Sequence, residues 1–415
     1  MPSPTVEEFR ATVRAWLDAN AERSGDDDSF VWGQGELPVS FFRERTDEEE
    51  QAHLDAVGAW EQTKAEAGFH APTWPTELGG LGLSNQHALT YAEIEAEYAT
   101  PGRHELLSVT TGMVAPTIQS DGNDEQRERF VERFLRCHEW CCQLFSEPAA
   151  GSDLASVACK AVRDGDEWII NGQKVWTSGA SFAQWGFLIA RTDPSVPKHK
   201  GLTAFLVPMD ADGIDVVPIR QMSGGSSFSE VFFTDAHIAD ELRIGDVGAG
   251  WGVALTMLAH ERGNSSRRGA RKRPGGSAAE AIATAEAFGA TDDPVIRQKL
   301  AQAYIREQVR LLTAQRVSAA QGAGGKPGPE GSIGKLFWVD GLPAITDVVS
   351  QILGPRLLAD SGEWGTFEWN EHVTGAPGYR IAGGSDEIQR NIIGERVLGL
   401  PPEPRVDKNI PFNQQ

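Results

Sequence analysis

The sequence reads FSEPAAGSD at residues 145–153 and NGQKVWTSG at residues 171–179. Both segments place hydroxyl side chains and flexible backbone beside aromatic residues. A planar ring system with hydrogen-bonding edges needs this combination where a strand passes into a loop. The pair of segments therefore suggests a flavin site.

Each segment taken alone also has an ordinary interpretation. Ser146 follows two apolar residues that should end a strand, and Pro148 and Gly151 should turn the chain there, as in many strand-to-loop turns. In the second segment, Asn171-Gly172 is the dipeptide of a tight hairpin, and Trp176 could belong to the core.

A third segment, AGGSDEIQR at residues 382–390, precedes a helical pattern. Gly383 and Gly384 would leave backbone N–H groups and the positive end of a helix accessible, which suits a diphosphate. The alternative is that Ser385 is the N-cap of an ordinary helix.

Composition limits the class of protein. At 415 residues with 40% hydrophobic residues, the chain can form two or three domains with a large core. No run approaches the roughly 20 apolar residues that span a bilayer, and residues 1–8 do not resemble an export signal. We therefore expect a cytoplasmic protein with no membrane insertion. The net charge of −21 argues against binding to nucleic acid.

The cysteines could be considered as metal ligands, since Cys137, Cys141 and Cys142 lie close together beside His138. Zinc ligands usually come as short-spaced pairs from two separate places, and this spacing does not fit. We expect buried thiols, no metal, and a reducing compartment.

The hydrophobic period changes twice along the chain. It is helical from Val6 to about Arg136, strand-like from about Trp140, and helical again from Gly252. The tract from Ser24 to Pro38 reads as a loop. We predict a helical domain over residues 1–138, a β-domain over 139–246 and a helical bundle over 247–415.

The three segments, in this order and at this separation, resemble the acyl-CoA dehydrogenase family of flavoproteins. The resemblance covers nearly the whole chain and includes the turn at residues 74–82, the QILG sequence at 351–354 and the LGLP sequence at 398–401. It implies a mainly α fold with a central β-domain: an N-terminal helical domain, a middle β-barrel-like domain and a C-terminal four-helix bundle. It also implies FAD between the last two domains.

The resemblance assigns roles to individual positions. Ser146 would bond the pyrimidine edge of the flavin, Trp176 would cover part of the ring, and Thr177 and Ser178 would bond near N5. Ser152 and Arg262 would contact the CoA portion of the substrate. The remaining positions implied to bind FAD are Gln143, Phe145, Gln351, Gly354, Gly384, Ser385 and Glu387.

The implied reaction oxidises an acyl-CoA thioester to the trans-2-enoyl-CoA, in fatty acid or steroid side-chain catabolism. A carboxylate removes the α-proton while the β-hydrogen leaves as hydride to flavin N5. Because the α-proton is weakly acidic, donors must stabilise the enolate; the family uses a ribityl hydroxyl and one backbone N–H, expected here at Gly383.

The chain departs from the family at the base. Many members carry a glutamate where this chain has Gly383, which has no side chain to accept a proton. Another branch places the base on the first helix of the C-terminal domain, where this chain has His260-Glu261-Arg262. Glu261 is therefore the predicted catalytic base; the ordinary alternative is a surface glutamate in an ion pair.

Two further departures follow in the sequence. Pro274 and two glycines should break the helix after Arg267, which leaves a basic loop from Arg267 to Arg273 that either binds CoA phosphates or an acidic partner, or is simply solvated. The family's Arg-x-x-Phe-Gly contact to FAD is reduced to AEAFG at residues 285–289. The missing arginine weakens the case for a symmetric homotetramer.

Three hypotheses follow. The first is an acyl-CoA dehydrogenase that passes electrons to an electron-transfer flavoprotein, as a homo-oligomer (dimer or tetramer) or with a homologous subunit. The second is a non-catalytic or half-site subunit of a hetero-oligomer. The third is a flavin oxidase or monooxygenase of the same fold.

Overall fold

The computed structural model describes residues 3–24, 32–33, 37, 39–41, 45–102, 104–267, 275–322 and 328–415. Along these residues the element order is helices, then strands, then helices. The predicted mainly α fold with a central β-domain is confirmed, although the loop expected from Ser24 to Pro38 falls mostly outside the described residues.

The first part of the chain is helical. Capping boxes start three of its helices: Thr5 with Glu8, Thr46 with Glu49, and Asn123 with Gln126. A π-helical turn joins α4 to α5 at Thr110–Val114, and another joins α6 to α7 at Arg127–Val131. The helices are α1 (Val6–Asn20), α2 (Asp47–Glu66), α3 (Asn85–Glu95), α4 (Glu105–Val109), α5 (Ala115–Asp121), α6 (Asp124–Gln126) and α7 (Glu132–Leu135).

The middle part forms one eight-stranded sheet. Its order is β6-β7-β3-β2-β4-β5-β8, and β1 pairs in parallel with β4. β4 is buried along its whole length, which fits its continuous apolar sequence. The strands are β1 (Cys141–Leu144), β2 (Lys160–Asp164), β3 (Glu167–Ser178), β4 (Trp185–Arg191), β5 (Leu202–Pro208), β6 (Ile214–Ile219), β7 (Phe228–Ala239) and β8 (Arg243–Ile244).

The last part is a helical bundle. α9 starts separately from α8 with its own capping box of Ser277 and Glu280, as expected from the glycines before it. The helices are α8 (Gly250–Arg267), α9 (Ala278–Ala287), α10 (Pro294–Gly322), α11 (Gly331–Leu353), α12 (Phe367–Ile381) and α13 (Asp386–Ile392), which continues as a π-helical turn at Ile393–Val397. Short 3-10 turns lie at Thr76–Leu78, Leu154–Ser156, Ala180–Phe182, Asp240–Leu242, Gly354–Leu357 and Phe412–Gln414.

The largest hydrophobic core joins the N-terminal helices, the sheet and α8. It includes Leu106 of α4, Phe187 and Phe205 of the central strands, and Met257 of α8. A second core lies within the bundle and takes in Trp369 of α12. α8 belongs to the first core and also packs against α10 and α11. It therefore connects the β-domain with the C-terminal helices.

One described helix, Gly331–Leu357, is long and apolar enough to cross a membrane by length and composition. Lys335, Asp340 and Asp347 interrupt its apolar sequence. The same composition suits the central helix of a bundle, and α11 packs against α9, α10, α12 and α13. Lys335 is held there by Asp386 of α13.

Candidate active site

The segment 145–153 leaves β1 and turns immediately. The carbonyl of Ser146 accepts a hydrogen bond from the backbone N–H of Val175 at 2.9 Å, so the first two sequence segments are joined by backbone. The carboxylate of Glu147 is buried beneath the turn and accepts from the N–H groups of Ala158 at 2.6 Å and Cys159 at 2.9 Å. The buried carboxylate of Glu147 therefore fixes the turn.

Lys174 of the second segment completes this arrangement. Its side chain is 0% exposed, and Nζ donates to Oε1 of Glu147 at 2.7 Å and to the carbonyl of Phe145 at 3.0 Å. A buried charge needs a partner of opposite charge and further hydrogen bonds, and this pair has both. The pair ties Lys174 of β3 to the turn after β1, so it fixes Ser146, which precedes Glu147, relative to Trp176, two residues after Lys174.

Trp176 has a backbone conformation that is unusual for a bulky residue. Its φ is 61°, in the left-handed region, and the register of β3 against β7 shifts between Lys174 and Thr177. Such strain is typical of functional positions. The side chain is 54% exposed and meets the edge of the Phe228 ring, at 5.9 Å between centroids. The interpretation of Trp176 as a core residue is wrong. Its indole is exposed at the surface, and we refer to the flat face of this ring as the Trp176 wall.

The hairpin interpretation of Asn171-Gly172 is also wrong. Both residues lie inside β3, where a second register shift falls between Ile170 and Gly172. Gly172 has φ 150°, and a β-carbon there would lie 2.7 Å from Cα of Cys159. The glycine is required by the close approach of Cys159, which precedes β2, and not by a turn. The turn of the β2–β3 hairpin lies earlier, at Gly165.

Thr177 has a buried hydroxyl group. The residue is 1% exposed, and among the described residues its Oγ1 has no hydrogen-bond partner. An orphaned buried hydroxyl is unfavourable, so a site that binds a polar ligand explains it. Ser178, the next residue, pairs with Phe228 at the end of the same strand. These hydroxyls and the Trp176 wall fit the polar edge and face of a flavin.

The side-chain amide of Gln221 was not singled out by the sequence. Its loop connects β6 to β7, and Ile219 and Phe228 at the base of that loop are in register with Ser178. Both polar atoms of the Gln221 amide are buried with no partner in the described part of the chain. No sequence pattern distinguishes this glutamine.

The third segment forms a tight turn before α13. Gly383 and Gly384 have φ values of 61° and 85°. The carbonyl of Gly383 accepts from Nε2 of Gln389 at 2.7 Å, and that of Gly384 accepts from Nζ of Lys335 at 2.9 Å. Ser385 is the N-cap of α13 and accepts from the N–H of Ile388 at 3.4 Å. The turn is held by side chains that sequence reasoning missed.

An ionic network supports the same turn. Arg380 donates to Oδ2 of Asp386 at 2.6 Å, and Lys335 lies 3.2 Å from Oδ1 of Asp386. Burial opposes ionisation of Asp386, but the hydrogen bonds from Arg380 and Lys335 outweigh it and lower the pKa of that carboxyl. A lysine in an apolar helix was the one available signal that Lys335 has a specific partner.

Glu261 of α8 lies beside this turn. A β-carbon at position 383 would lie 3.4 Å from Oε1 of Glu261. The Glu261 carboxylate therefore occupies the space into which a side chain at 383 would extend. The fold brings the residue predicted as base to the position where the usual base is missing.

Ser152 reaches the same neighbourhood. Its Oγ donates to Oγ of Ser385 at 3.4 Å, and the residue is exposed. The first segment, the third segment and α8 thus meet around Ser152, Ser385, Gly383 and Glu261. This cluster and the Trp176 wall are linked through the short turn from Ser146 to Ser152.

Other predicted residues lie elsewhere. Gln351 is exposed near the end of α11 and donates to Oδ1 of Asp347 at 2.9 Å, while Gly354, with φ 51°, ends that helix. Glu387 is exposed and lies 3.9 Å from Arg390. Gln143 and Phe145 belong to β1 and its end, next to Phe187. The side chain of Arg262 and the basic loop lie outside the described residues.

The AEAFG sequence at residues 285–289 ends α9. Ala285 is buried in the core of the bundle, so it is not in a position to contact a ligand. Phe288 is covered by the ring of Trp32, at 5.8 Å between centroids, and by the guanidinium of Arg356, at 5.0 Å. The surface at this motif is therefore occupied by the chain's own residues.

The cysteines are buried and form no disulfide. Burial raises the pKa of Cys142 to about 12 and that of Cys159 to about 11, so both are unreactive thiols. Within the described ranges, no group of three or more His, Cys, Asp or Glu side chains could hold a metal ion.

Comparison with known proteins agrees with this geometry. Residues 38–138, 142–236 and 248–398 match the models of the N-terminal, middle and C-terminal domains of acyl-CoA dehydrogenase. The chain is 37% identical over 399 residues to acyl-CoA dehydrogenase IpdE1 of Mycobacterium tuberculosis, covering 96% of this chain and 98% of that protein.

Solved structures give the same result. The Tcur3481-Tcur3483 steroid ACAD matches with a TM-score of 0.73 and 25% identity, covering 96% of this chain and 98% of that one. The ChsE4-ChsE5 complex from Mycobacterium tuberculosis matches with a TM-score of 0.70 and 26% identity, covering 97% and 99%. The chain belongs to the acyl-CoA dehydrogenase family, and it is an oxidoreductase of that class.

Proposed function

We propose that this acyl-CoA dehydrogenase uses Glu261 as the base that removes the α-proton of the thioester. The observation that carries the proposal is the position of Oε1 of Glu261, 3.4 Å from where a β-carbon at Gly383 would lie. A base must lie within reach of the proton that it removes, and its position matters before its pKa. The carboxylate is supplied by α8 in place of the missing side chain at 383.

Gly383 contributes its backbone in this proposal. Its N–H would donate to the thioester carbonyl and stabilise the enolate that forms as the α-proton leaves. Gln389 and Lys335 hold the carbonyls of Gly383 and Gly384, which fixes the turn that carries this N–H before substrate binds. Such preorganisation is the main source of enolate stabilisation in a site of this kind.

The residues present fit FAD as the cofactor. Trp176 would cover one part of the ring system, and Thr177, whose buried Oγ1 has no partner in the described part of the chain, would donate to its polar edge. Ser146, Ser178 and Gly384 complete the set near the ring and the diphosphate. When bound, FAD would supply the hydride acceptor at N5 for the β-hydrogen.

Ser152 and Arg262 are proposed to contact the CoA portion. The acyl group is proposed to be a fatty acyl chain or a steroid side chain, because the solved relative named above is a steroid ACAD. The proposed electron acceptor is an electron-transfer flavoprotein. A cytoplasmic location is supported by four cysteines that form no disulfide.

A second candidate is a subunit that needs a homologous partner to complete its flavin site. Ala285 is buried, and Trp32 and Arg356 cover Phe288, so the motif that would reach a neighbour's FAD is closed. A resembling solved structure is the ChsE4-ChsE5 complex, which supports an oligomer with a second, homologous chain.

The test is anaerobic mixing of the purified protein with a panel of acyl-CoA thioesters, from short to branched to steroid, while flavin absorbance is recorded. Bleaching by one class is expected, and Glu261→Gln should slow it by about 10² to 10⁴-fold, the range typical of a general base. Glu286→Gln, which changes an exposed carboxylate on the next helix, should bleach at the wild-type rate.

Three other results separate the alternatives. Equal bleaching in Glu261→Gln and wild type rules out Glu261 as the base. Purified protein without flavin, which gains flavin and activity only with a homologous chain, favours the half-site subunit. Rapid reoxidation in air with release of peroxide, or a hydroxylated product, favours an oxidase or monooxygenase.

A further inference from the structure

The last residues of the chain, 401–415, fold back onto the β-domain; we refer to them as the tail. Pro411 pairs with Pro197 in an isolated antiparallel bridge. The N–H groups of Phe412 and Asn413 donate to the carbonyls of Val196 at 2.9 Å and Pro194 at 3.0 Å. The tail is therefore docked by backbone onto the connection between β4 and β5.

The ring of Phe412 covers a buried arginine. The guanidinium carbon of Arg191 lies 3.8 Å from the ring centroid, which is a close cation–π contact. Arg191 is 3% exposed and donates to the carbonyls of Ala155 at 2.6 Å and Val157 at 2.9 Å. These carbonyls belong to the segment that directly follows residues 147–153, which we call the substrate loop. Arg191 thus supports the end of this loop, and the ring of Phe412 covers Arg191.

Lys198 makes a second connection between tail and substrate loop. Its Nζ lies 2.8 Å from Oδ2 of Asp153 and 2.8 Å from Oδ2 of Asp407. Its side chain is 10% exposed, whereas those of Asp153 and Asp407 are 55% and 42% exposed. One nearly buried ammonium thus holds a carboxylate from the loop and a carboxylate from the tail.

The neighbouring residue extends the connection to α8. The ring of His199 meets Trp251, in the first turn of α8, edge-on at 4.8 Å. Residues 198–199 therefore contact the substrate loop, the tail and the helix that carries Glu261. On its other side, the loop is held by the hydrogen bond from Ser152 to Ser385.

We propose that the tail supports the acyl-CoA site, and that Lys198 is a positioning residue that fixes the substrate loop against the tail. This inference rests on the proposed function, in which Ser152 of that loop contacts CoA. Release of the tail should loosen the loop and weaken CoA binding. The proton-transfer step should change little, because Glu261 and Gly383 are held by α8, Gln389 and Lys335.

The loop offers a direct readout through its own backbone. The N–H groups of Glu147 and Ala150 bond to each other's carbonyls at 3.0 Å, and those of Ser156 and Val157 bond to Asp153 at 2.9 Å and Leu154 at 3.2 Å. Such amides exchange with solvent only when the segment opens. Hydrogen exchange at residues 147–157 therefore reports on loop opening without any need for activity.

The variants act on the tail and on Lys198. Asp407→Asn and Phe412→Ala change residues that do not belong to the loop, and Lys198→Ala removes the shared ammonium while Lys198→Arg keeps a positive charge. Arg133→Ala, which breaks an exposed ion pair with Glu139 of 2.9 Å in another part of the chain, is the control. Asp407→Asn, Phe412→Ala and Lys198→Ala should raise exchange at 147–157 by about three- to tenfold, since each partly exposed contact contributes modestly. Lys198→Arg and the control should remain near wild type.

Isothermal titration with coenzyme A gives the second readout. Its affinity should fall by a similar factor of about three to ten in the three destabilised variants, and Lys198→Arg should restore it. Faster exchange confined to residues 401–415, with 147–157 unchanged, overturns the inference, as does a loosened loop with unchanged affinity. If the wild-type protein does not bind coenzyme A, the proposed substrate is wrong, while the exchange data still decide whether the tail fixes the loop.

Discussion

At the scale of single residues, the pair of Lys174 and Glu147 shows how the site is built on buried charge. The lysine is 0% exposed and the glutamate side chain 8% exposed, at a distance of 2.7 Å. Neither charge is near solvent that could replace its partner. Glu147 also accepts hydrogen bonds from the N–H groups of Ala158 and Cys159, and Lys174 donates to the carbonyl of Phe145.

Lys174→Met should therefore be strongly destabilising. Removal of one partner leaves the other charge buried and uncompensated, for a loss of about 3–5 kcal/mol in the free energy of unfolding. Urea unfolding measures this loss, and the variant should also retain less flavin. Lys160→Met, at an exposed position of β2, is the control. Equal effects of the two substitutions would show that the buried pair has no special role.

The buried side chain of His372 leads to a prediction about how the stability of the protein depends on pH. Burial lowers its pKa to about 4, in contact with the rings of Phe41 and Trp369. Because the pKa is lower in the folded state than in the unfolded state, the unfolded state binds the proton more readily. The stability contribution is complete above pH 6.5 and is lost as the pH falls from about 6.5 towards 4.

His372→Phe should flatten this dependence. Between pH 7 and pH 5, the free energy of unfolding of wild type should fall by roughly 1–2 kcal/mol more than that of the variant. Chemical denaturation at a series of pH values measures the difference. His138→Phe, at an exposed position, should retain the wild-type slope. A variant with an unchanged slope would assign the acid sensitivity to other groups.

Individual site residues were predictable to different extents. Glu261 could be proposed because the family resemblance offers a second place for the base, on the first helix of the C-terminal domain, where this chain has a glutamate. The supports of the turn, Gln389 and Lys335, could not, because their partners are backbone carbonyls and a carboxylate that only the folded bundle brings near them. Polar contacts that depend on tertiary placement leave little local signal.

At the scale of elements, β3 is a strand shaped by two register shifts. The first follows Ile170, where Gly172 lets the backbone of Cys159 approach, and the second places Trp176 at φ 61°. The strand itself was predictable from its apolar pattern. Its bulges were not predictable. Asn-Gly also signals a hairpin, and the glycine is explained by the close approach of Cys159, which precedes a different strand.

Trp176→Asn should separate the cost of this conformation from its use. Asparagine tolerates the left-handed region better than tryptophan, and the lost side chain is 54% exposed. The free energy of unfolding of the apoprotein should therefore stay within about 1 kcal/mol of wild type or rise. Flavin affinity, measured by fluorescence titration, should fall clearly. Val217→Asn, an exposed apolar position on β6, should leave flavin affinity unchanged; an equal loss in both variants would argue against a specific role of the indole.

At the scale of the whole molecule, the order of helices, strands and helices followed from hydrophobic period alone. The meeting of Glu261 with Gly383, and of the tail with the substrate loop, did not. The tail sequence PPEPRVDKNIPFNQQ has no periodic pattern, and its docking depends on Arg191 and Lys198, which are distant in sequence. Long-range placement of irregular segments is the part of the fold that pattern reasoning does not reach.

The outer face of α10 carries several exposed apolar side chains. Ile305 is 57% exposed, Val309 40% and Leu312 64%, and Tyr304 beside them is 51% exposed. Their spacing places them along one side of the helix. Contiguous exposed apolar surface of this kind marks a contact with another chain more often than it faces water. In the proposed oligomer, this face is therefore expected to be covered by a neighbouring subunit.

Leu312→Lys should weaken that assembly. A lysine ammonium at the centre of an apolar contact would lose its hydration without gaining a partner, so association is expected to fall by at least an order of magnitude. Sedimentation velocity over a range of concentrations measures the shift towards smaller species. Val162→Lys, a 44% exposed apolar position on β2, should sediment as wild type does. If Leu312→Lys leaves the oligomer intact, the subunits associate through another surface, and the apolar face of α10 has a different partner.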